Sequence, residues 1–331
     1  MSAPPSTSRT ARGYGVALLS AAILSTTAIL IRYLTQNYSI PALVLALWRD
    51  ALAGLTLLPM LAVIRPGLLR VTRRHLLYLV LYGLVLAIFN ALWTLSVSLN
   101  GAAVSTVLAY SSAAFTALLG WWLLKESLHG AKILAVAMSL VGCALVAGAF
   151  NPSAWQTNLP GILAGVLTGL AYAAYSLMGR SASQRGLNPW TTLFYTFGFA
   201  TLWLLLFNLL PGGWLPGTAA GPLGALRPAI PPAGWAILFL LAAGPTLFGF
   251  GLYNVSLSLL PSSVANLILT TEPAFTTLLA YLVLGERLGA AQAAGSLLIL
   301  SGVVALRLYD GWQETRGAKA SFLSAVRRAR D

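Results

Sequence analysis

The chain has 331 residues, of which 58% are hydrophobic and only 8% charged, with a net charge of +13. Soluble domains carry about 25% charged residues, so most of this surface must meet lipid rather than water. The basic residues sit between apolar runs rather than on one patch, which argues against nucleic acid and for topology signals.

The first twelve residues, with Arg9 and Arg12, form a short polar tail. No A-x-A site ends the next apolar run, so no cleaved signal is expected. A helix needs about 20 apolar residues to cross a bilayer. Ten segments qualify, near 13–35, 40–64, 75–98, 101–124, 129–150, 159–181, 189–211, 234–258, 262–284 and 288–308. The expected fold is therefore an all-α membrane protein with ten transmembrane helices. The connection 212–233 is rich in Pro and Gly and cannot span.

Placing the N-terminus in the cytoplasm puts 16 of the 20 Lys and Arg inside. The exceptions are Arg32, Arg49, Arg227 and Arg287. That asymmetry predicts an even number of spans with both termini cytoplasmic. The tail after 308 reads either as a basic amphipathic helix on the inner leaflet or as a solvated segment.

Arg49 and Asp50 lie inside the second span, where charge is costly and faces the protein interior. Neighbours on a helix point about 100° apart, so the two are not expected to pair with each other. Arg49 reads as an anchor between helices or as a partner for a substrate carboxylate. On the third span Tyr78, Tyr82, Phe89 and Trp93 fall within about 60° of one another, with Asn90 beside them. A buried hydroxyl or amide needs a partner, either another helix or the contents of a central cavity. Tyr110, Tyr172 and Tyr175 are further candidates. Gly161, Gly165 and Gly169 form a small-residue stripe suited to helix contact. The eighth span contains AAGPTLFGFG, whose Pro245 and glycines predict a bend.

The stretch YSSAAFTALLGWWLLKESL at 110–128 recurs, 160 residues later, as TTEPAFTTLLAYLVLGERL. Ala114-Phe115-Thr116 pairs with Ala274-Phe275-Thr276, Glu126 with Glu286 and Gly142 with Gly302. The same register pairs Trp93-Thr94 with Tyr253-Asn254. The chain thus divides into a tail (1–12), two five-helix repeats (13–150 and 159–308) and a basic tail (309–331). Five is odd, so the repeats cross in opposite senses, an inverted arrangement typical of secondary transporters. Only the second copy carries Glu272-Pro273; the first has Ser112-Ala113. Glu272 therefore reads as a coupling proton site, a substrate-amine site or a local adjustment around the proline.

EPAFTTLLAYLVLGERL, followed by GSLLILSGVVAL, resembles the second repeat of EamA-type proteins of the drug/metabolite transporter superfamily. AAFTALLGWWLLKESL with VGCALVAG resembles the first. The resemblance implies ten helices in two inverted halves and export or exchange of small metabolites across a bacterial inner membrane. Aromatic content and layout most resemble bacterial aromatic amino acid exporters of the YddG type. The substrate class implied is aromatic and other apolar amino acids; nucleobases, quaternary amines and other organic cations remain open. Tyr78, Tyr82, Asn90, Trp93, Tyr110, Tyr172, Tyr175, Tyr253 and Asn254 are the expected substrate-binding residues. Glu272 and Arg49 are the expected coupling or structural charges.

An enzyme is not expected. His75 and His129 lie near helix ends, and neither H-E-x-x-H nor G-x-S-x-G occurs. A channel fits ten unique spans poorly. No G-x-x-x-x-G-K-[ST] loop is present for ATP. One cysteine, Cys143, excludes a thiolate cluster. No cofactor, metal or nucleic-acid partner is expected, and the chain is expected to act in the bilayer as a monomer.

Overall fold

The computed structural model describes residues 7–146, 159–210, 215–219, 221–275, 278 and 289–328. Among these residues every regular element is helical: α1 (Thr7–Leu24), α2 (Thr27–Tyr38), α3 (Ala42–Ile64), α4 (Leu76–Tyr110), α5 (Ser112–Leu124), α6 (Gly130–Val146), α7 (Leu159–Gln184), α8 (Pro189–Leu209), α9 (Pro222–Leu226), α10 (Pro232–Leu241), α11 (Phe250–Leu259), α12 (Ser262–Leu269) and α13 (Ala290–Arg328). Among the described residues six stretches are long and apolar enough to cross a membrane: Thr10–Tyr38, Ala42–Ile64, Arg73–Gly101, Leu159–Gln184, Pro189–Leu209 and Pro232–Leu259. Leu108–Leu124, Gly130–Leu145 and Ala293–Leu306 are shorter apolar helices. The expected span 262–284 begins in α12, and most of its second half lies outside the described residues.

Three of these helices are interrupted, each for a local reason. Between α1 and α2 the hydroxyls of Ser25 and Thr26 donate to the carbonyls of Ala22 and Ile23, at 2.6 and 3.0 Å. Such back-bonding competes with the helical ladder and opens it. The first expected span is therefore two helices rather than one. In α4 the run breaks at Gly101, whose φ of +77° suits glycine alone. The third expected span ends there, and the fourth starts in the last turns of α4 and continues through α5. Between α10 and α11 the backbone at Ala242–Gly249 is a π-helix with Pro245 inside. Proline removes one amide donor, and the widened turn absorbs the mismatch. This is the bend expected from AAGPTLFGFG.

Leu55, Leu58, Leu163, Leu167, Leu202, Leu206 and Leu297 are exposed large apolar side chains on long helices. Lipid is the solvent that makes such a surface stable. Among its described residues the Pro/Gly-rich connection carries α9 and folds onto the start of α3. Leu43 N–H donates to Gly217 O at 2.8 Å, and Trp48 Nε1 donates to Ala225 O at 2.8 Å. The tail beyond residue 308 continues α13 as one helix to Arg328.

Several helix contacts interchange when residues shift by 160. α4 packs on α7, as α1 packs on α11 and α12. α4 meets α8, as α10 and the π segment meet α3. The pair α6–α13 maps onto itself. The glycine stripe of α7 makes the closest of these approaches: Gly161 faces Asn100, Gly165 faces Leu108, and Gly169 faces Ser111 and the backbone around it. Small residues let the helices close to this distance.

Candidate functional site

Where α1, α2, α3, α4, α7, α11 and the turn at 272–275 converge, a cavity is lined by Leu24, Thr27, Arg49, Phe89, Asn90, Trp93, Ala109, Tyr110, Tyr172, Phe250 and Glu272. The cavity holds about 40 Å³ of room for water, against about 10–15 Å³ for a single water. The site is thus a narrow crevice in this conformation, with room for a few waters.

Each helix break delivers part of the lining. Leu24 and Thr27 flank the α1–α2 interruption, and Phe250 follows the π segment directly. Tyr110 ends α4, and its hydroxyl is hydrogen-bonded to the carboxylate of Glu272. Phe89 stacks obliquely on Tyr172, with ring centres 4.9 Å apart, and meets Phe250 edge-on at 6.1 Å. Aromatic faces therefore dominate one side of the crevice.

Charge enters from α3. Arg49 and Asp50 are both buried, and the two do meet: Arg49 Nε lies 3.4 Å from Asp50 Oδ1. This corrects the expectation from helix geometry. Although neighbouring side chains leave the helix about 100° apart, the long guanidinium arm reaches back to its neighbour. The contact is longer than the 2.7–2.9 Å usual for charge-assisted bonds. Asp50's shorter partner is Asn90, whose Nδ2 donates to Oδ1 at 2.9 Å and Oδ2 at 2.7 Å. Arg49 Nη2, Asn90 Oδ1 and Thr27 Oγ1 are buried atoms without a protein partner, and all three residues line the crevice.

Of the substrate-binding residues expected from sequence, Asn90, Trp93, Tyr110 and Tyr172 line this space, as do Arg49 and Glu272. Tyr78, Tyr82, Tyr175, Tyr253 and Asn254 stand outside the lining, and all but Tyr78 join a hydroxyl–amide network between α4, α7, α11 and α12. Tyr82 Oη donates to Asn254 Oδ1 at 3.3 Å, and Asn254 Nδ2 donates to Tyr175 Oη at 2.6 Å. Tyr253 Oη shares a proton with Ser176 Oγ at 2.6 Å, and Asn266 Nδ2 donates to both. Ser112, the twin of Glu272, donates to Asn266 Oδ1 at 3.1 Å. Tyr78 donates to Met178 O at 2.6 Å and lies under the Arg185 guanidinium.

Sequence reasoning did not select Leu24, Thr27, Ala109 or Phe250. The Ser-Thr-Thr run at 25–27 was the available signal for the first break. Phe250 is the first residue after the bend already read from Pro245.

A second polar cluster joins the end of α5 to the start of α12. The Glu126 carboxylate accepts from Ser262 N at 2.7 Å, Ser262 Oγ at 2.6 Å, Ser263 N at 3.1 Å and Ser263 Oγ. It caps a helix N-terminus, where a negative charge is stabilised. Lys132 at the start of α6 is buried, and its Nζ donates to Ser127 O and to Ser263 Oγ at 3.0 Å.

The model of the EamA-like transporter family matches this chain twice, over residues 11–148 and 159–308. An uncharacterized transporter of Synechocystis is 29% identical over 68% of this chain, and the match spans 64% of that protein's length, under two thirds. An uncharacterized transporter of Clostridium kluyveri is 23% identical over 88% of this chain and 92% of its own. A "Probable terminal-alkyne amino-acid exporter" of Streptantibioticus cattleyicolor is 32% identical over 34% of this chain and 38% of its own. One solved crystal structure superposes with a TM-score of 0.70 over 90% of this chain and 97% of its own at 18% identity, a shared fold. With both halves matched, the chain is a membrane transporter of the EamA-like family, in the drug/metabolite transporter superfamily.

Proposed function

We propose that this transporter is a secondary carrier that exports or exchanges aromatic and other apolar amino acids across the bacterial inner membrane by alternating access. In this reading ten spans form two inverted halves with both termini in the cytoplasm. The observation that carries it is the crevice itself, a buried space with aromatic walls, Arg49 and Glu272 in its lining, and helix breaks on both sides. Charges at membrane depth mark substrate or ion pathways, and unwound backbone is tolerated there only where it lines a cavity or is buried in protein. The repeat-related contacts, α4 on α7 and α1 on α11, support two exchangeable arrangements of like halves. The amino-acid-exporter name of the Streptantibioticus relative favours the substrate class.

A second reading, a carrier of organic cations, draws on aromatic faces beside the Glu272 carboxylate. Purified protein in liposomes tests both. Saturable uptake of labelled phenylalanine or tryptophan, accelerated by the same amino acid inside, is the expected result. Flux that is unsaturable or insensitive to counter-substrate would instead indicate a channel.

A further inference from the structure

We infer that Arg49 and Asn90 form an α-amino-carboxylate site, Arg49 Nη2 taking the carboxylate and Asn90 Oδ1 the ammonium group. This rests on the carrier reading and assigns the polar ends of its substrate.

The orientation of the Asn90 amide is fixed chemically. An ionised carboxylate only accepts, so the Asn90 nitrogen must face Asp50, to which it donates at 2.9 and 2.7 Å. Its oxygen is thereby turned away from Asp50, buried and without a protein partner. Arg49 is held beside Asp50 through Nε, which leaves Nη2 buried and likewise without one. One donor and one acceptor, on neighbouring helices and both lining one crevice, suit a ligand with an acceptor and a donor close together. Thr27 Oγ1, a third such atom, can serve either end.

Charge balance points the same way. Arg49 and Asp50 cancel within the wall, and Glu272, the acid in the lining, adds no charge while it is protonated. A zwitterion adds no net charge to the buried site, whereas an amine without a carboxylate places a second cation beside Arg49. The remaining lining (Phe89, Trp93, Tyr172, Phe250) takes an apolar or aromatic side chain. Asp50 is a positioning residue: it sets Asn90 and Arg49 and does not line the crevice.

The test uses the purified full-length chain in detergent, with L-phenylalanine, 2-phenylethylamine and 3-phenylpropanoate as probes and calorimetric binding as the readout. Phenylalanine is expected to bind at least about tenfold more tightly than either analogue, as loss of a hydrogen bond to a charged group implies. Arg49→Lys keeps a cation beside Asp50 but loses the planar fork, and should bring phenylalanine down to the level of the amine. Equal binding of phenylalanine and phenylethylamine overturns the carboxylate assignment, and equal binding of phenylpropanoate overturns the ammonium assignment. Binding of none of the three by wild type overturns the site altogether. Liposome flux separates this from the carrier reading. Selective binding without flux sinks the carrier and keeps the site; flux of phenylethylamine without selectivity does the reverse.

Discussion

Asn90 on α4 holds both carboxylate oxygens of Asp50 on α3, at 2.9 and 2.7 Å. This clamp joins two helices through a buried charge. Asn90→Leu leaves the carboxylate with only the 3.4 Å contact from Arg49. Removing one partner of a buried charged group costs about 1–3 kcal/mol or more. The expected outcome is a fall of several degrees in thermal midpoint. Asp50→Asn, which removes the charge but keeps the shape, should lose less. A larger loss for Asp50→Asn would mean that Asp50 stabilises mainly through Arg49.

Trp93 and Tyr82 lie on the same face of α4, but only Trp93 lines the crevice. Trp93→Ala should raise the apparent KM for an aromatic substrate by roughly tenfold, since it removes an aromatic wall. Tyr82→Phe removes one donor to Asn254 and should cost about 1 kcal/mol of stability, with KM changed by less than about twofold. Paired transport and thermal-unfolding measurements on the two variants decide it. A KM effect at Tyr82 matching that at Trp93 would extend the binding site into the hydroxyl–amide network.

The sequence made the spans legible because lipid demands long apolar runs. The repeat was legible because Ala-Phe-Thr and the late Glu and Gly match in one register. The helix break at Thr26 was not, because hydropathy is blind to backbone geometry, whereas the division at Gly101 falls where the third expected span gives way to the fourth. The aromatic stripe on α4 could be read as a face, yet periodicity cannot say how far along that face the cavity extends. Tyr82 and Trp93 therefore looked alike. Arg49 and Asp50 show the opposite limit: their depth was evident, but the reach of an arginine side chain overrides the angle between neighbours.

Gly169 of α7 tests whether close approach of α4 and α7 is required. A Cβ there would meet Ser111 Oγ and two backbone atoms, Leu108 O at 3.1 Å and Ser112 N at 3.2 Å. Backbone cannot move aside as a side chain can. Gly169→Ala should destabilise by about 1–3 kcal/mol, as overpacking does. Gly198→Ala, with nothing within 4 Å of the new carbon, is the control and should be neutral or slightly stabilising. Equal thermal midpoints for the two variants would show that the stripe has slack.

Glu126 ties the first half to the second through four donors at the head of α12. If the halves alternate, that contact favours the conformation seen here. Glu126→Gln keeps the shape but loses the charge-assisted component, about 1.5–3 kcal/mol. Val264, buried and next to Ser263, is a suitable reporter. A cysteine at Val264 should react with a thiol reagent about tenfold or more faster in the Glu126→Gln background, in line with that energy. Unchanged reactivity would make Glu126 a static cap.

Glu272 is the acid that only one repeat carries. Its twin, Ser112, is spent on a hydrogen bond to Asn266, so the repeated fold does not need a carboxylate there. Glu272 itself lines the crevice and is hydrogen-bonded to Tyr110. With Arg49 and Asn90 taking the two ends of the substrate, the acid is available for a different task. The expectation is that it binds and releases a proton as the carrier alternates. Glu272→Gln retains the shape and the bond to Tyr110 but cannot titrate. In liposomes the variant should keep substrate exchange within about twofold, because exchange needs no net proton movement. A pH gradient should accelerate net flux in wild type and have no effect in the variant. The sign follows from export: protons entering from an acidic outside favour substrate moving outward. A variant that keeps pH-driven flux places the proton site elsewhere. Loss of exchange together with loss of phenylalanine binding would make Glu272 the amine partner and displace Asn90 from that role.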